Sequence, residues 1–435
     1  MTTWKKLAAA AVALPLSLAL AACGGGGDGT DTGGETGGEG GNTLTVWTWD
    51  PAFNIYAMEE AAKIYKKDHP DFELKVEETP WDDLQAKLTT LAQSQTFDEL
   101  PDIFLMQNNA FQKNVINYPE LFTDYSKSGV DFSQFPESVT AYSVVDGTNW
   151  GLPFDNGTAV NALRTDVLKE AGMTIDDFTD ITWTEFIAKG KEVLEKTGKP
   201  LMAGQTGSSD LPMMMLQSAG ASLFDAEGKP TIVGNEALIT SMNVFQELVT
   251  SGVMVQFNSW DEYVGSFTNG NVAGVLNGVW ILGSVQTATD QAGNWNITNL
   301  PKLEIPGGTN YSANGGSSWA VSSNANAELA FDFLNSTFAG STELYDTILP
   351  SSGAVANWLP AGESAVYAEP HEFFGGQEVF AKVVEFSAQV PSNNTGAYYY
   401  EARDAVSAAM TKVLDGTDID TALAEAQSNV EFAMQ

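Results

Sequence analysis

The sequence predicts an α/β protein in which parallel strands alternate with helices, and three observations carry that expectation. From Thr43 onward, short stretches of period-two hydrophobicity alternate with stretches of helical period. The chain has 435 residues, enough for a large core divided among two or three domains of ordinary size. Its one cysteine is Cys23, so packing and not disulfides must hold the folded part together.

Each element has its own local signal. Leu44, Val46 and Trp47 open an apolar strand, and Asp50-Pro51 marks a helix start ahead of Ile55, Met58, Ala62 and Tyr65. Phe72, Leu74 and Val76 alternate with Glu73, Lys75 and Glu77 as a second strand. Trp81 and Asp82 precede a helix carrying Leu84, Leu88 and Leu91, and Ile103 to Met106 forms a third strand. Strand-helix-strand-helix-strand requires parallel pairing through right-handed crossovers. A second α/β region follows Pro153, with a helix opened by the capping box Thr182-Trp183-Thr184-Glu185, a helix from about Glu236 to Val249, and a short strand near Val272 to Leu276; a further strand is expected from Trp319 to Ser322.

The start of the chain reads differently. Lys5 and Lys6 precede an apolar run from Leu7 to Leu20, and Leu20-Ala21-Ala22-Cys23 completes a lipobox. This resembles the bacterial lipoprotein signal, in which residues 1–22 are removed and the Cys23 thiol carries lipid. The run is shorter than the roughly 20 residues a membrane span needs, and no later stretch is apolar enough to span. Residues 23–42 are then the lipidated cysteine and a glycine-rich tether with an r.m.s. span of roughly 25 Å. The expected place is the outer face of the cytoplasmic membrane on a Gram-positive-type surface, lipid-anchored.

Charge narrows the partners. The formal net charge is −36, a field that repels nucleic acid, anionic lipid and polyuronates and leaves neutral or cationic ligands. His69 and His371 are too few for most histidine-built metal sites, and neither metal nor cofactor is expected. There is no G-x-S-x-G and no Walker loop, and His371-Glu372 lacks the second histidine of H-E-x-x-H. A glycoside hydrolase would need two placed carboxylates, and no segment resembles a hydrolase signature, so no enzyme is expected.

Ligands of open parallel sheets bind beyond the carboxyl ends of the strands, where Trp49, Asp50, Trp81, Gln107, Asn108 and Asn109 fall. Sugar rings offer an apolar face and a rim of hydroxyls, so a sugar site needs flat aromatic surfaces beside groups that donate and accept hydrogen bonds. Trp49, Trp81, Trp280 and Trp319 supply the first, and Asp50, Asn108, Asn109, Asp155 and Asn156 the second. Core packing is the competing role for any one tryptophan, and clustering at strand ends is what favours ligand contact. The Gly/Ser/Asn-rich stretch from Asn310 to Trp319 is either a ligand loop or a turn. Of Tyr398, Tyr399 and Tyr400, one ring is expected at the site, with Tyr399 chosen, and Met213 to Met215 read as helix packing.

Several ordered segments carry a family resemblance from Thr43 to Gln435. Leu100-Pro101-Asp102-Ile103, Trp150-Gly151-Leu152-Pro153-Phe154-Asp155-Asn156, and Phe267 to Gly270 with Ala273 and Asn277-Gly278-Val279-Trp280 resemble the extracellular solute-binding proteins of carbohydrate ABC importers, the class typified by maltose-binding protein. The resemblance implies a two-lobed periplasmic-binding-protein-like fold of type II, each lobe a mainly parallel sheet flanked by helices with the ligand cleft between them. The implied division is 43–154 plus 300–340 for the first lobe and 155–299 plus 341–435 for the second. It also implies ligand contacts at Trp49, Asp50, Phe154, Asp155, Asn156 and Trp280. Asp50-Pro51 stands where some members carry a lysine or arginine, a departure from maltodextrin recognition. Trp47 to Asp50, Trp81-Asp82-Asp83, Gln107 to Ala110 and Phe154 to Gly157 are most similar to oligosaccharide-binding lipoproteins of Gram-positive gut bacteria, especially those for xylo- and arabinoxylo-oligosaccharides, with raffinose-type and fructo-oligosaccharide receptors sharing much of the pattern.

The function this implies is capture of a neutral oligosaccharide by lobe closure and delivery to membrane ABC permease subunits, by a monomer that breaks no bond. A polyamine or other cation receptor is the alternative; its cleft would need several carboxylates around the amines.

Overall fold

The computed structural model describes residues 41–155, 157–391 and 395–435. Cys23, its signal and Asn156 lie outside the described residues. The two largest sheets, with separate cores, mark two lobes. The first sheet runs in the order Glu73–Glu78, Thr43–Thr48, Ile103–Gln107, Ser317–Ser322, Phe122–Thr123, and Leu152–Asp155 also pairs with Ser317–Ser322. Its first three strands are parallel, as strand-helix alternation requires, with Trp47 opposite both Glu77 and Phe104. Ser317–Ser322 enters antiparallel from far along the chain.

Both faces of this sheet are covered. Val46, Ile103, Leu105, Trp319 and Val321 pack under the helices Tyr56–Tyr65, Ala327–Ser336 and Thr342–Ser352. Trp47, Phe104, Met106 and Ala320 pack on the opposite side under Trp81–Ser94 and Asn108–Asn117. Such near-continuous apolar strands are what a sheet buried on both faces needs.

The second sheet differs from the expected mainly parallel form. Its central strand, Ala159–Arg164, is flanked antiparallel by Gly274–Gly278 and Trp295–Thr298. Parallel pairing in this lobe comes from a separate two-stranded sheet, Met202–Gln205 with Met254–Phe257. The central strand is more than a hundred residues from either partner, and their relative direction is a relation that no local period records. One core joins Leu163, Met202 and Leu276 to Trp183–Thr197, Asp210–Ser218, Glu236–Thr250 and the terminal pair Tyr399–Leu414 and Ile419–Ala433. The capping box forms in full: Thr182 N–H donates to Glu185 Oε2 at 2.8 Å, and Thr182 Oγ1 accepts from Glu185 N–H at 3.2 Å.

Packing also moves one expected division. Leu344, Tyr345 and Ile348 of Thr342–Ser352 bury in the first lobe's core, against Tyr56–Tyr65. A return to the second lobe at residue 341 would strip that apolar face from its partner, so packing places the change later, where Ala354 belongs to the first core and Val355 to the second lobe's outer one.

Candidate functional site

The site begins where the first strand ends. Asn54, buried, uses one side-chain oxygen to gather the chain after that strand: Oδ1 accepts from Thr48 Oγ1 at 2.6 Å, Asp50 N–H at 2.9 Å and Trp49 N–H at 3.2 Å. Such local knots hold a loop without a regular ladder. They turn Trp49 beside Trp81, the first residue of its helix, with ring centroids 5.2 Å apart and planes tilted by 60°. From the other lobe Trp280 follows the strand Gly274–Gly278, and its Nε1 donates to Asn314 carbonyl oxygen at 2.9 Å. Trp260, the first residue of its own helix, lies 5.9 Å from Trp280.

Between these aromatic pairs run two adjoining compartments with Gln107, Trp280 and Gly315 as common wall. The smaller, of about 460 Å³, takes Trp49, Asp50, Asp155 and Ser317 from the first lobe and Trp260 from the second. The larger, of about 830 Å³, takes Trp81, Gln85 and Asn109 from the first lobe and Asp210, Tyr399 and Arg403 from the second. A cleft walled by both lobes with aromatic faces and scattered polar groups suits a ligand that both stacks and hydrogen-bonds. Volumes of this order hold small ligands in known pockets, typically about 300–1,000 Å³.

Of the residues expected at the site, Trp49, Asp50, Trp81, Asn109, Asp155, Trp280 and Tyr399 line these compartments. Three do not. Trp319 and Phe154 are fully buried in the first core, their rings tilted against each other with centroids 5.4 Å apart and both in contact with Phe338. Position along the strand decides this for Trp319: alternation puts Ser317, Trp319 and Val321 on one face, where Trp319 and Val321 meet the core while Ser317, at the strand end, reaches the smaller compartment. Asn108 is a buried tie behind the cleft, accepting from Ser318 Oγ at 2.8 Å while its own amide reaches Asp155 carbonyl oxygen at 3.4 Å.

Other lining residues had no place in the expected set. Trp260 carried the signal Ser259-Trp260-Asp261-Glu262, an N-cap with acids in the first turn, and Ser259 does accept from Glu262 N–H at 3.2 Å. Tyr400 lines the cleft beside Tyr399 and donates to Gln107 Oε1 across it. Glu401 pairs with Lys113, again from one lobe to the other.

The charged groups respond to their surroundings. Asp155 accepts from Ser317 Oγ and is almost wholly buried, and burial pushes its carboxyl up to about 6 against the hydrogen bonds that lower it. Burial raises the Tyr399 and Tyr400 phenols far above their ordinary range, so both are neutral hydroxyls at any physiological pH.

The family described as bacterial extracellular solute-binding protein matches residues 60–355. A lactose-binding protein of Rhizobium radiobacter is 37% identical over 381 residues, covering 87% of this chain and 90% of that protein. The chain belongs to the bacterial extracellular solute-binding proteins. An arabinooligosaccharide-binding protein of Halalkalibacterium halodurans is a more distant relative of this solute-binding protein, 26% identical over 83% of this chain and 82% of its own length. Among solved structures, the galacto-N-biose-/lacto-N-biose I-binding protein of Bifidobacterium longum superposes with a TM-score of 0.76 over 91% of this chain and 98% of its own, at 19% identity. The GacH receptor of Streptomyces glaucescens gives 0.74 over 90% and 97%, also at 19%. These structures share the two-lobed fold, and among the described residues no helix is long and apolar enough to cross a membrane.

Proposed function

We propose that this solute-binding protein captures a neutral oligosaccharide between its lobes and delivers it to the permease of an ABC importer, as a lipid-anchored monomer on the outer membrane face. The observation that carries the reading is the facing of two aromatic pairs, Trp49 with Trp81 and Trp260 with Trp280, contributed by different lobes across a wall of amide, hydroxyl and carboxylate groups. Stacking plus a mixed donor and acceptor rim is the complement of a pyranose or furanose. Aromatic faces in both compartments present more surface than one ring covers, which favours two or more sugar units. Contacts made by both lobes at once stabilise the closed form, so ligand shifts the population toward it. The protein acts as a receptor and leaves its sugar intact.

Two cargo classes lead. The relative at 37% identity is named for lactose, which puts β-galactosides first, and the arabinooligosaccharide-binding relative joins the sequence resemblance in favouring pentose oligomers such as xylo- and arabinoxylo-oligosaccharides. Calorimetric titration of the full chain with lactose, xylotriose, arabinotriose, raffinose, maltotriose and spermidine separates them. Micromolar or tighter binding of one sugar class, weakened at least about 10-fold by Trp280→Ala and with the sugar recovered unchanged, is the expected result; a stacked aromatic contributes about 1–3 kcal/mol. Binding of spermidine alone would replace the carbohydrate reading with that of a cation receptor.

A further inference from the structure

We propose that Arg403 and Asp210 form a recognition subsite for two neighbouring hydroxyls of the bound sugar, on the second-lobe wall of the larger compartment. The inference rests on the carbohydrate reading above and adds the residues that would set its selectivity. The chain has only two arginines, and they are differently engaged. Arg164 is committed: its Nε and Nη2 donate to the two oxygens of Asp166 at 2.8 and 2.6 Å, away from the cleft. Arg403 lines the cleft, and its partner is loose. Nη2 stands 3.5 Å from Asp210 Oδ1, while Nε is buried with no hydrogen-bond partner.

A guanidinium carries five N–H donors in a fixed plane, and an arginine with one long contact has donors left over. Both side chains keep about 30% of their surface, so a ligand in the compartment reaches them. Vicinal hydroxyls fit the pair from both sides, accepting from the fork of Arg403 and donating to the carboxylate of Asp210. The pair's near neutrality selects against the alternatives: an acidic sugar competes with Asp210 for Arg403, and an amine meets the guanidinium.

The pair is positioned by its scaffold more than by its own contact. Buried Ser209 donates to Arg403 carbonyl oxygen at 3.2 Å and shares a hydrogen bond with Ser407 Oγ at 2.8 Å. Those two bonds fix the start of Asp210–Ser218 against Tyr399–Leu414. The guanidinium carbon lies 5.5 Å from the centroid of the Tyr400 ring, within cation–π range. A lysine offers the charge without the fork.

The test uses the full chain, with lactose, xylotriose and arabinotriose as probes. Arg403→Lys is expected to weaken every probe that the wild type binds by about 10-fold or more, the scale of a lost charge-assisted pair of hydrogen bonds, with the melting temperature of the unliganded protein little changed. A second measurement needs no variant: phenylglyoxal modification of the wild type, followed peptide by peptide, should slow several-fold at Arg403 when a bound probe saturates the protein, and stay unchanged at Arg164. Equal affinity in Arg403→Lys, or equal modification of Arg403 with and without a bound probe, overturns the subsite while leaving the sugar receptor intact. Failure of these three together with raffinose and maltotriose to bind the wild type overturns the carbohydrate reading, and the subsite with it.

Discussion

Asp155 ends its strand almost out of solvent, and its carboxyl titrates near 6 where an ordinary aspartate titrates near 3.8. A folded pKa above the unfolded one means that the folded state binds the extra proton between about pH 4 and 6. Stability therefore falls as pH rises through that window, and the ionised form costs on the order of 3 kcal/mol above it. Asp155→Asn keeps an oxygen that accepts from Ser317 and removes the charge. Thermal unfolding of this variant should show greater stability than wild type at pH 7.5, no gain at pH 4, and a flatter profile between; a variant less stable at both pH values would show that the carboxylate is needed by the fold. Legibility at this scale follows exposure. Trp81, Trp183 and Trp260 all begin helices, yet Trp183 is buried in the second core while the other two face the cleft. Residue type and helix position are the same in all three, so the sequence lacks the fact that separates them, which is what the neighbouring elements place opposite each ring.

The element that spans the cleft is the first turn of Tyr399–Leu414. Its body belongs to the second lobe's core, while Tyr400 donates to Gln107 at the end of a first-lobe strand and Glu401 pairs with Lys113. The ion pair is about a third exposed on the lysine side, so it contributes little, at most about 1 kcal/mol. The hydrogen bond matters more, because Gln107 lines both compartments and its oxygen is held by Tyr400, which leaves the amide N–H groups to face a ligand acceptor. Tyr400→Phe keeps the ring beside Trp81 and deletes only the hydroxyl. It should weaken sugar binding about 5- to 10-fold, near the 1 kcal/mol of one orienting hydrogen bond, with a small loss of melting temperature. Unchanged affinity by titration would mean that Gln107 is oriented by other contacts. Elements with a strong local period were readable: Trp81–Ser94, Ile103–Gln107 and Glu236–Thr250 stand where their apolar spacing put them. The antiparallel order of the second sheet was not, since strand direction there depends on elements more than a hundred residues apart.

At the scale of the molecule, closure has to pass through the segments that join the sheets. The chain leaves the first sheet at Asp155 and enters the second at Ala159, and it returns from Ser312 to Ser317. The two passages are tied side by side: Ala159 N–H donates to Ser312 carbonyl oxygen and Asn314 N–H to Gly157 carbonyl oxygen, each at 2.8 Å. Gly157 sits at φ +61°, and a Cβ there would lie 2.1 Å from Asn314 carbonyl oxygen. That same oxygen accepts from Trp280 Nε1, so a side chain at Gly157 pushes on the anchor of a cleft aromatic as well as on the crossing itself. Gly157→Ala combines a left-handed backbone, which costs a residue with a Cβ roughly 1–2 kcal/mol, with a contact that only backbone movement relieves. Two outcomes are expected together: a lower melting temperature, and sugar affinity reduced by more than the same loss of stability produces in a variant of the distant core such as Ile187→Val. If titration finds both variants binding alike, the crossing tolerates displacement without moving Trp280, and the coupling between passage and cleft argued from Asn314 is wrong.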